Sequence, residues 1–298
     1  MGKKVTMAQL AGMAGCSHST ISRALSGSSR ISAETKRRIL DLAEKAHYRQ
    51  QKGQRLAATI WNIADFVPDL YSQLLIQYLA IEMRNHRFRN ICVPFCDISL
   101  LNEFYITGAI SITPFHRLAR SWSACRPTPL VTVNDYSENV GGIYSVTSDE
   151  YAAMSTVVDM LLDAGCCKTV LISPPAENYC HGLRRQSYCD AMQRNGIKPR
   201  IALFSRDFTE SDITFTDADS FILAGENIVN LREGILRRFP AAKLAVWYFK
   251  NEEHPGEISV VQNFAELASQ AVSLLECSMN HPAAAGNRKI PYLIKSGI

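Results

Sequence analysis

Between Val5 and Tyr48 the chain reads VTMAQLAGMAGCSHSTISRALSGSSRISAETKRRILDLAEKAHY, and this stretch constrains the fold more than any other. Three apolar-periodic runs follow one another, each preceded by a hydroxyl residue able to cap a helix. Thr6 stands three residues before Gln9, the reciprocal spacing of a capping box. Met7, Leu10, Ala11 and Ala14 then share one face, and Gly15 supplies the turn. Ser17 is placed to cap a second helix that Gly27 stops. Ser32 is placed to cap a third, running through Arg38 and Ile39 to Ala46.

The second helix carries the chemistry. Ile21, Ala24 and Leu25 point one way, while His18, Ser19, Ser22 and Arg23, three and four residues apart, point the other. Two helices joined by a tight glycine turn, the second presenting short hydrogen-bonding side chains and an arginine, meet the requirements for reading the DNA major groove. A solvated face on a small helical bundle would share much of this pattern, and charge separates the two readings. Through Leu56 there are eleven basic residues (Lys3, Lys4, Arg23, Arg30, Lys36, Arg37, Arg38, Lys45, Arg49, Lys52 and Arg55) against Glu34, Asp41 and Glu44, a net of +8. The whole chain is only +4, so the remainder nets −4. Basic charge gathered in one small unit is the footprint of a phosphate-binding module.

The pattern V-T-x-x-x-L-A-x-x-A-G-C-S-x-x-T-I-S-R-A-L-S, followed by I-S-x-x-T-(x)-R-x-I and the closing Tyr48, closely resembles the DNA-binding headpiece of the lactose-repressor (LacI/GalR) family of bacterial transcription regulators. The resemblance implies that His18, Ser19 and Arg23 read bases. It implies that Thr6, Ser17, Ser22 and Arg30 hold phosphates or cap the helices near them. Phosphate contacts would set register, and base-edge contacts would carry the sequence information.

Length bounds the rest. A chain of 298 residues can bury a large core in about two domains. No apolar run is long enough for a membrane span, and MGKKVTMAQL lacks a secretory apolar region and passes directly into a helix cap, so a cytoplasmic protein is expected. Nine cysteines contain no CxxC pair, with Cys166 and Cys167 adjacent and Cys16 inside the headpiece; they read as cytosolic thiols rather than metal ligands. There is no nucleophile elbow, P-loop, HExxH or GxGxxG, and the histidines are scattered, so neither catalysis nor a cofactor is expected.

Residues 49–58 (RQQKGQRLAA) read as a linker. In the family resembled, this position holds a hinge helix that forms on DNA and pushes a leucine into the minor groove, reading deformability as well as bases. Here Gln50-Gln51 replaces the family's Pro-Asn, and Gly53 lies within the would-be helix at a cost of about 1 kcal/mol relative to alanine. The wedge position falls on Ala57, with Leu56 one step early as the candidate DNA contact. The linker to the first strand is also shorter than usual.

From Thr59 onward strand-like and helix-like segments alternate. Strands are expected at Ile60–Phe66, Asn90–Phe95, Ala109–Thr113, Leu130–Val133, Thr169–Ser173, Ser220–Ala224, Leu244–Tyr248 and Ile258–Val261. Amphipathic helices are expected at Tyr71–Asn85, Glu150–Ala164, Leu183–Asn195, Asn227–Phe239 and Ala265–Cys277. Such alternation predicts open parallel sheets with helices on both faces. It resembles the two-lobed, periplasmic-binding-protein-like effector and dimerisation domain of the same family. Asp149 opening a helix, LLDAGCCKTVLI, R184-R-Q-S-Y and ISVVQNFAELASQAVSLL carry that part of the resemblance.

Carried over by position, Arg184 falls where the family grips its ligand, and Gln262 and Phe264 match the late crossover between lobes. The family's Asn-Asp is Gly225-Glu226 here, and its Gly-aromatic-Asp-Asp aspartate is absent from Val246-Trp247-Tyr248-Phe249-Lys250. A sugar site needs paired acceptors and donors, so a standard sugar is disfavoured. Arg184 is therefore open to two readings, a ligand grip or a structural ion pair.

The expected fold is α/β: a three-helix helix-turn-helix headpiece (1–48), a linker (49–58) and a two-lobed domain with doubly wound parallel sheets (59–298). The expected function is sequence-specific DNA-binding regulation of transcription, as a repressor on a pseudo-palindromic operator. One headpiece covers only about 600–1,000 Å², too little for tight binding at cellular salt, so a homodimer, or a tetramer built from dimers, is expected. A small-molecule effector follows from the resemblance alone. The alternatives are a ligand-sensing module with a degenerate headpiece, opposed by the intact groove-facing residues, and a sugar enzyme on a similar sheet, which no catalytic constellation supports.

Overall fold

The computed structural model describes residues 5–48, 55–61, 69–113, 118, 122, 129–135, 142–175, 179–204, 208–225, 231–251 and 254–298. Lys3, most of the linker (49–54), the far end of the first expected strand (62–66) and Glu226 with Asn227 lie outside them. By internal contacts the chain forms two compact units. One comprises Met1–Val146 with Ala268–Arg288, the other Thr147–Leu267 with Lys289–Ile298.

The first unit begins with α1 (Met7–Ala14), α2 (His18–Leu25) and α3 (Ala33–Lys45). Thr6 and Gln9 form the reciprocal capping box, and Gly15 closes α1 in the left-handed region at φ 62°. Ser17 and Ser32 cap α2 and α3 through the backbone N–H groups of Thr20 and Thr35. The apolar faces converge on one core of Leu10, Ile21, Leu25, Ile39, Leu40, Ala43 and Tyr48.

The sheet of this unit contains β1 (Leu56–Trp61), β2 (Arg89–Pro94), β3 (Gly108–Ser111), β4 (Leu130–Val133) and β5 (Ile143–Ser148), with β11 (Arg288–Ile290) at one edge. Helix α4 (Leu70–Asn85) separates β1 from β2, and a 3-10 segment, Phe95–Glu103, follows β2. The order is β11-β5-β4-β3-β1-β2, and neighbours from β5 to β2 run parallel. The second unit holds β6 (Thr169–Ser173), β7 (Ile201–Leu203), β8 (Ser220–Leu223), β9 (Lys243–Tyr248), β10 (Glu257–Val261) and β12 (Leu293–Ser296). Its helices are α5 (Glu150–Asp163), α6 (Tyr179–Arg194) and α7 (Arg232–Arg238); α8 (Phe264–Asn280) begins there and continues into the first unit. Its order is β12-β10-β9-β8-β6-β7, parallel except where β12 turns antiparallel to β10.

Both sheets thus repeat one doubly wound order, β2-β1-β3-β4-β5 and β7-β6-β8-β9-β10. In such sheets ligands sit outside the carboxyl ends of the strands, where the order reverses. Central strands are buried on both faces, as parallel sheets require: every residue of TVLIS in β6 and SFIL in β8 is buried.

Three sequence expectations change. The first strand starts at Leu56, four residues before the expected Ile60, which shortens the linker. β5, β7, β11 and β12 were not anticipated; β7 and β11 have only three residues each, too few for a period-2 signal. Helix α6 starts at Tyr179 rather than Leu183, and α8 extends to Asn280.

Candidate DNA-reading face and the strand ends of the second unit

Capping fixes where α2 begins, and its amphipathic period fixes what it shows. Ser17 Oγ accepts from Thr20 N at 3.1 Å and lies 2.8 Å from the hydroxyls of both Ser19 and Thr20. Ile21, Ala24 and Leu25 are at most 2% exposed, pinning one face to the core. His18, Ser19, Ser22 and Arg23 lie on the opposite, exposed face; Thr6, Ser17 and Arg30 are also exposed. Seven of the eight residues expected to meet DNA therefore stand on the surface of one small three-helix unit. Short donors and acceptors beside an arginine fork can address base edges, and the helix N-terminus favours a phosphate.

Leu56, the eighth, does not belong with them. It sits in β1 at 4% exposure and packs with Ile60, Val93, Ile98 and Leu101. Ala57, at the family's wedge position, is fully buried as well. Their backbones are committed to the ladder with β2, so neither can enter a minor groove without dismantling the sheet.

Some of the basic charge is also spent inside the protein. Arg55 is 7% exposed, donates to Glu276 Oε1 at 2.8 Å and to His86 O at 3.2 Å, and lies 4.2 Å over the Phe88 ring. Lys36, 8% exposed, donates to Glu103 Oε2 at 3.2 Å. Arg38 donates to the Ala14 carbonyl at 3.3 Å. The phosphate-facing charge is correspondingly smaller than a residue count implies.

In the second unit Arg184 rises from α6 toward the order reversal between β6 and β8. Its Nε donates to Glu150 Oε2 at 2.6 Å and its Nη2 to Glu150 Oε1 at 3.1 Å and to the Tyr292 hydroxyl at 2.9 Å. Nη1 reaches the Ala224 carbonyl at 3.4 Å. Four of the five guanidinium hydrogens are thereby engaged. Tyr292 in turn donates to Glu150 Oε1 at 2.7 Å. Glu150 is 0% exposed, in the first turn of α5, where the helix N-terminus also favours negative charge. Burial alone would lower the Arg184 pKa, but the Glu150 carboxylate and Tyr292 hold it above its ordinary value. Burial pushes the Tyr292 phenol well up. His181, on the first turn of α6, is driven down to about 4 by burial and by Arg184 and Arg185, so it is neutral at pH 7.

Gln262 and Phe264 follow the carboxyl end of β10, where a crossover ligand contact is expected, yet both are used internally. Gln262 Nε2 donates to Ser148 Oγ at 2.9 Å, and the Phe264 ring meets Phe249 edge-on at 5.9 Å. Trp247 and Tyr248 are 6% and 4% exposed, and Tyr248 donates to Glu257 Oε1 at 2.7 Å. Glu150 and Tyr292 were missed in the sequence. A carboxylate directly after the capping Asp149 was the one available signal, and nothing local marks Tyr292. Among the described residues no cluster of three or more His, Cys, Asp or Glu side chains is placed to hold a metal ion. Among them, too, no helix is long and apolar enough to cross a membrane.

Residues 6–51 match the family model described as "Bacterial regulatory proteins, lacI family". No curated protein matches the chain by sequence. Solved structures match over nearly its whole length. The Lac repressor bound to ONPG in a repressed state is 15% identical, with 99% of each chain covered and a TM-score of 0.68. A transcriptional regulator CelR–cellobiose complex is 14% identical over 98% of this chain and 99% of that one, with a TM-score of 0.65. The trehalose repressor from Escherichia coli is 17% identical over 81% of this chain and 99% of its own, with a TM-score of 0.62. At these identities the likeness is one of fold. The headpiece is thus similar in sequence to the lacI family of bacterial regulatory proteins, and the chain shares the fold of these solved regulators.

Proposed function

We propose that the protein is a transcriptional repressor that binds a pseudo-palindromic operator as a homodimer, each headpiece laying α2 in a major groove. The observation that carries this reading is the exposed row His18, Ser19, Ser22 and Arg23 on a helix whose other face is locked in the core. Two half-sites are needed because one headpiece buries too little surface for tight binding at cellular salt. A structure of similar fold is a Lac repressor dimer bound to operator and the anti-inducer ONPF, 15% identical with a TM-score of 0.67.

A small-molecule effector belongs to the same proposal, held without the Arg184 guanidinium, which Glu150 and Tyr292 occupy. Selection from random DNA with the purified protein tests the central claim. Enrichment of an inverted repeat supports it; enrichment of a single half-site, or of no sequence, overturns the dimeric repressor reading.

A further inference from the structure

The headpiece is fastened to the sheet of its own unit by three consecutive residues, Glu103, Phe104 and Tyr105. Tyr105 N donates to the carbonyl of Leu25, the last residue of α2, at 3.1 Å. The Tyr105 hydroxyl donates to the Tyr48 carbonyl at 2.8 Å and lies 3.4 Å from that of Ala43, at the C-terminal end of α3 where helix carbonyls lack intrahelical donors. The two tyrosine rings stand 6.0 Å apart, and Tyr105 packs against the headpiece core. Glu103 pairs with Lys36 of α3, whose ammonium also reaches the Gly27 carbonyl at 3.4 Å. The Phe104 ring lies against Gly27, where an added Cβ would come within 2.3 Å of it.

The other end of this segment is anchored in the sheet. Phe104 packs on the core of Leu56, Ile98, Leu101 and Ile106. Thr107 donates to the Leu56 carbonyl through its backbone N–H at 2.7 Å and its hydroxyl at 3.0 Å. Between Tyr48 and Arg55 the sequence leaves six residues, fewer than two turns of helix.

We propose that residues 103–105 are a strut that sets the orientation of α2, with Tyr105 its principal positioning residue. The strut grips the C-terminal ends of α2 and α3, while His18, Ser19, Ser22 and Arg23 remain exposed, so the docked headpiece is competent to read DNA. The separation of half-sites that two copies can span is then fixed by the strut rather than by folding of the linker on DNA. This last consequence rests on the dimeric operator reading; the docking itself does not.

Two measurements on the full chain test it separately. In DNA-free protein, 15N relaxation of headpiece amides should report tumbling with the sheet in the wild type and independent, faster tumbling in Tyr105→Ala. Tyr105→Phe, which keeps the ring and loses the hydroxyl bond, should fall between them, and Phe104→Ala provides a second release variant should Tyr105→Ala not fold. Binding to a library of half-site pairs with varied spacers should then favour one spacing in the wild type. The preference over adjacent spacings should drop by roughly five- to tenfold in the released variants, the worth of one hydrogen bond with its ring contact. Their half-site sequence preference should not change. A wild-type headpiece tumbling independently overturns the strut, as does an unchanged spacer profile in a variant whose headpiece is free. Binding to single half-sites alone, with a docked wild-type headpiece, overturns the dimer reading and leaves the strut standing.

Discussion

Replacing Arg184 by Met distinguishes a structural ion pair from a ligand grip. Met keeps most of the aliphatic stem and removes both guanidinium donors to Glu150. The carboxylate is 0% exposed and retains only the Tyr292 hydroxyl at 2.7 Å among its side-chain donors. Breaking one side of a buried ion pair costs about 3–5 kcal/mol. The loss should therefore be about 3–5 kcal/mol at pH 7. Adding Glu150→Gln, which removes the charge, should recover most of it. Urea unfolding followed by tryptophan fluorescence is a suitable assay, since Trp247 lies 5.6 Å from the Arg184 guanidinium. At about 2–4 °C per kcal/mol, the melting temperature should fall by roughly 10 °C. A loss below 1 kcal/mol at pH 7 would refute the reasoning and return Arg184 to the role of an unencumbered ligand contact.

Other perturbations probe the headpiece and the acid limb of stability. Arg23→Ala should reduce discrimination between operator and random DNA by about 1–3 kcal/mol; an unchanged ratio in parallel titrations would remove it from the base readers. Thr6→Ala should cost about 1 kcal/mol of headpiece stability by deleting the acceptor for Gln9 N, seen in hydrogen exchange of the α1 amides. Gly27→Ala should destabilise further, because φ is +73° there and Phe104 fills the space a Cβ would need; retention of wild-type melting would contradict that packing. His181 has a folded-state pKa of about 4, below the ordinary 6.5, so the unfolded chain takes up its proton first as pH falls. Its contribution to stability is complete above pH 6.5 and is lost on descending toward pH 4, at up to about 1.4 kcal/mol per pH unit. His181→Gln should flatten that slope in a pH series of urea melts.

The headpiece was legible because its determinants are local. Caps act over three residues, amphipathic faces repeat every three or four, and Gly15 stops α1 where a left-handed residue is required. The alternation of β6, β8, β9 and β10 with helices was legible for the same reason: each strand is a short apolar run between turn residues. The order of strands and the two edge strands β7 and β11 were not, since a three-residue strand is specified by its neighbour rather than by itself. Leu56 shows how a motif position can mislead. The first strand begins at Leu56, so the residue that the resemblance places one step before the wedge position belongs to the sheet.

Charge was the signal most distorted by reading along the chain. The basic count through Leu56 treats every cation as available to phosphate, yet Arg55 is held by Glu276, 221 residues away, and Lys36 by Glu103, 67 residues away. Arg184 was read through its neighbours in α6, while its carboxylate lies 34 residues earlier and that carboxylate's tyrosine 142 residues later. A cation facing phosphate needs no partner in the protein, so its role is written in local composition. A cation that holds the fold needs a carboxylate brought to it by topology, and burial makes that pairing obligatory. Candidate DNA-reading groups can therefore be picked out before the structure is known. The contacts that Tyr105 and Glu103 make in the first unit, and Glu150 with Tyr292 in the second, become visible only once the sheets have brought distant segments together.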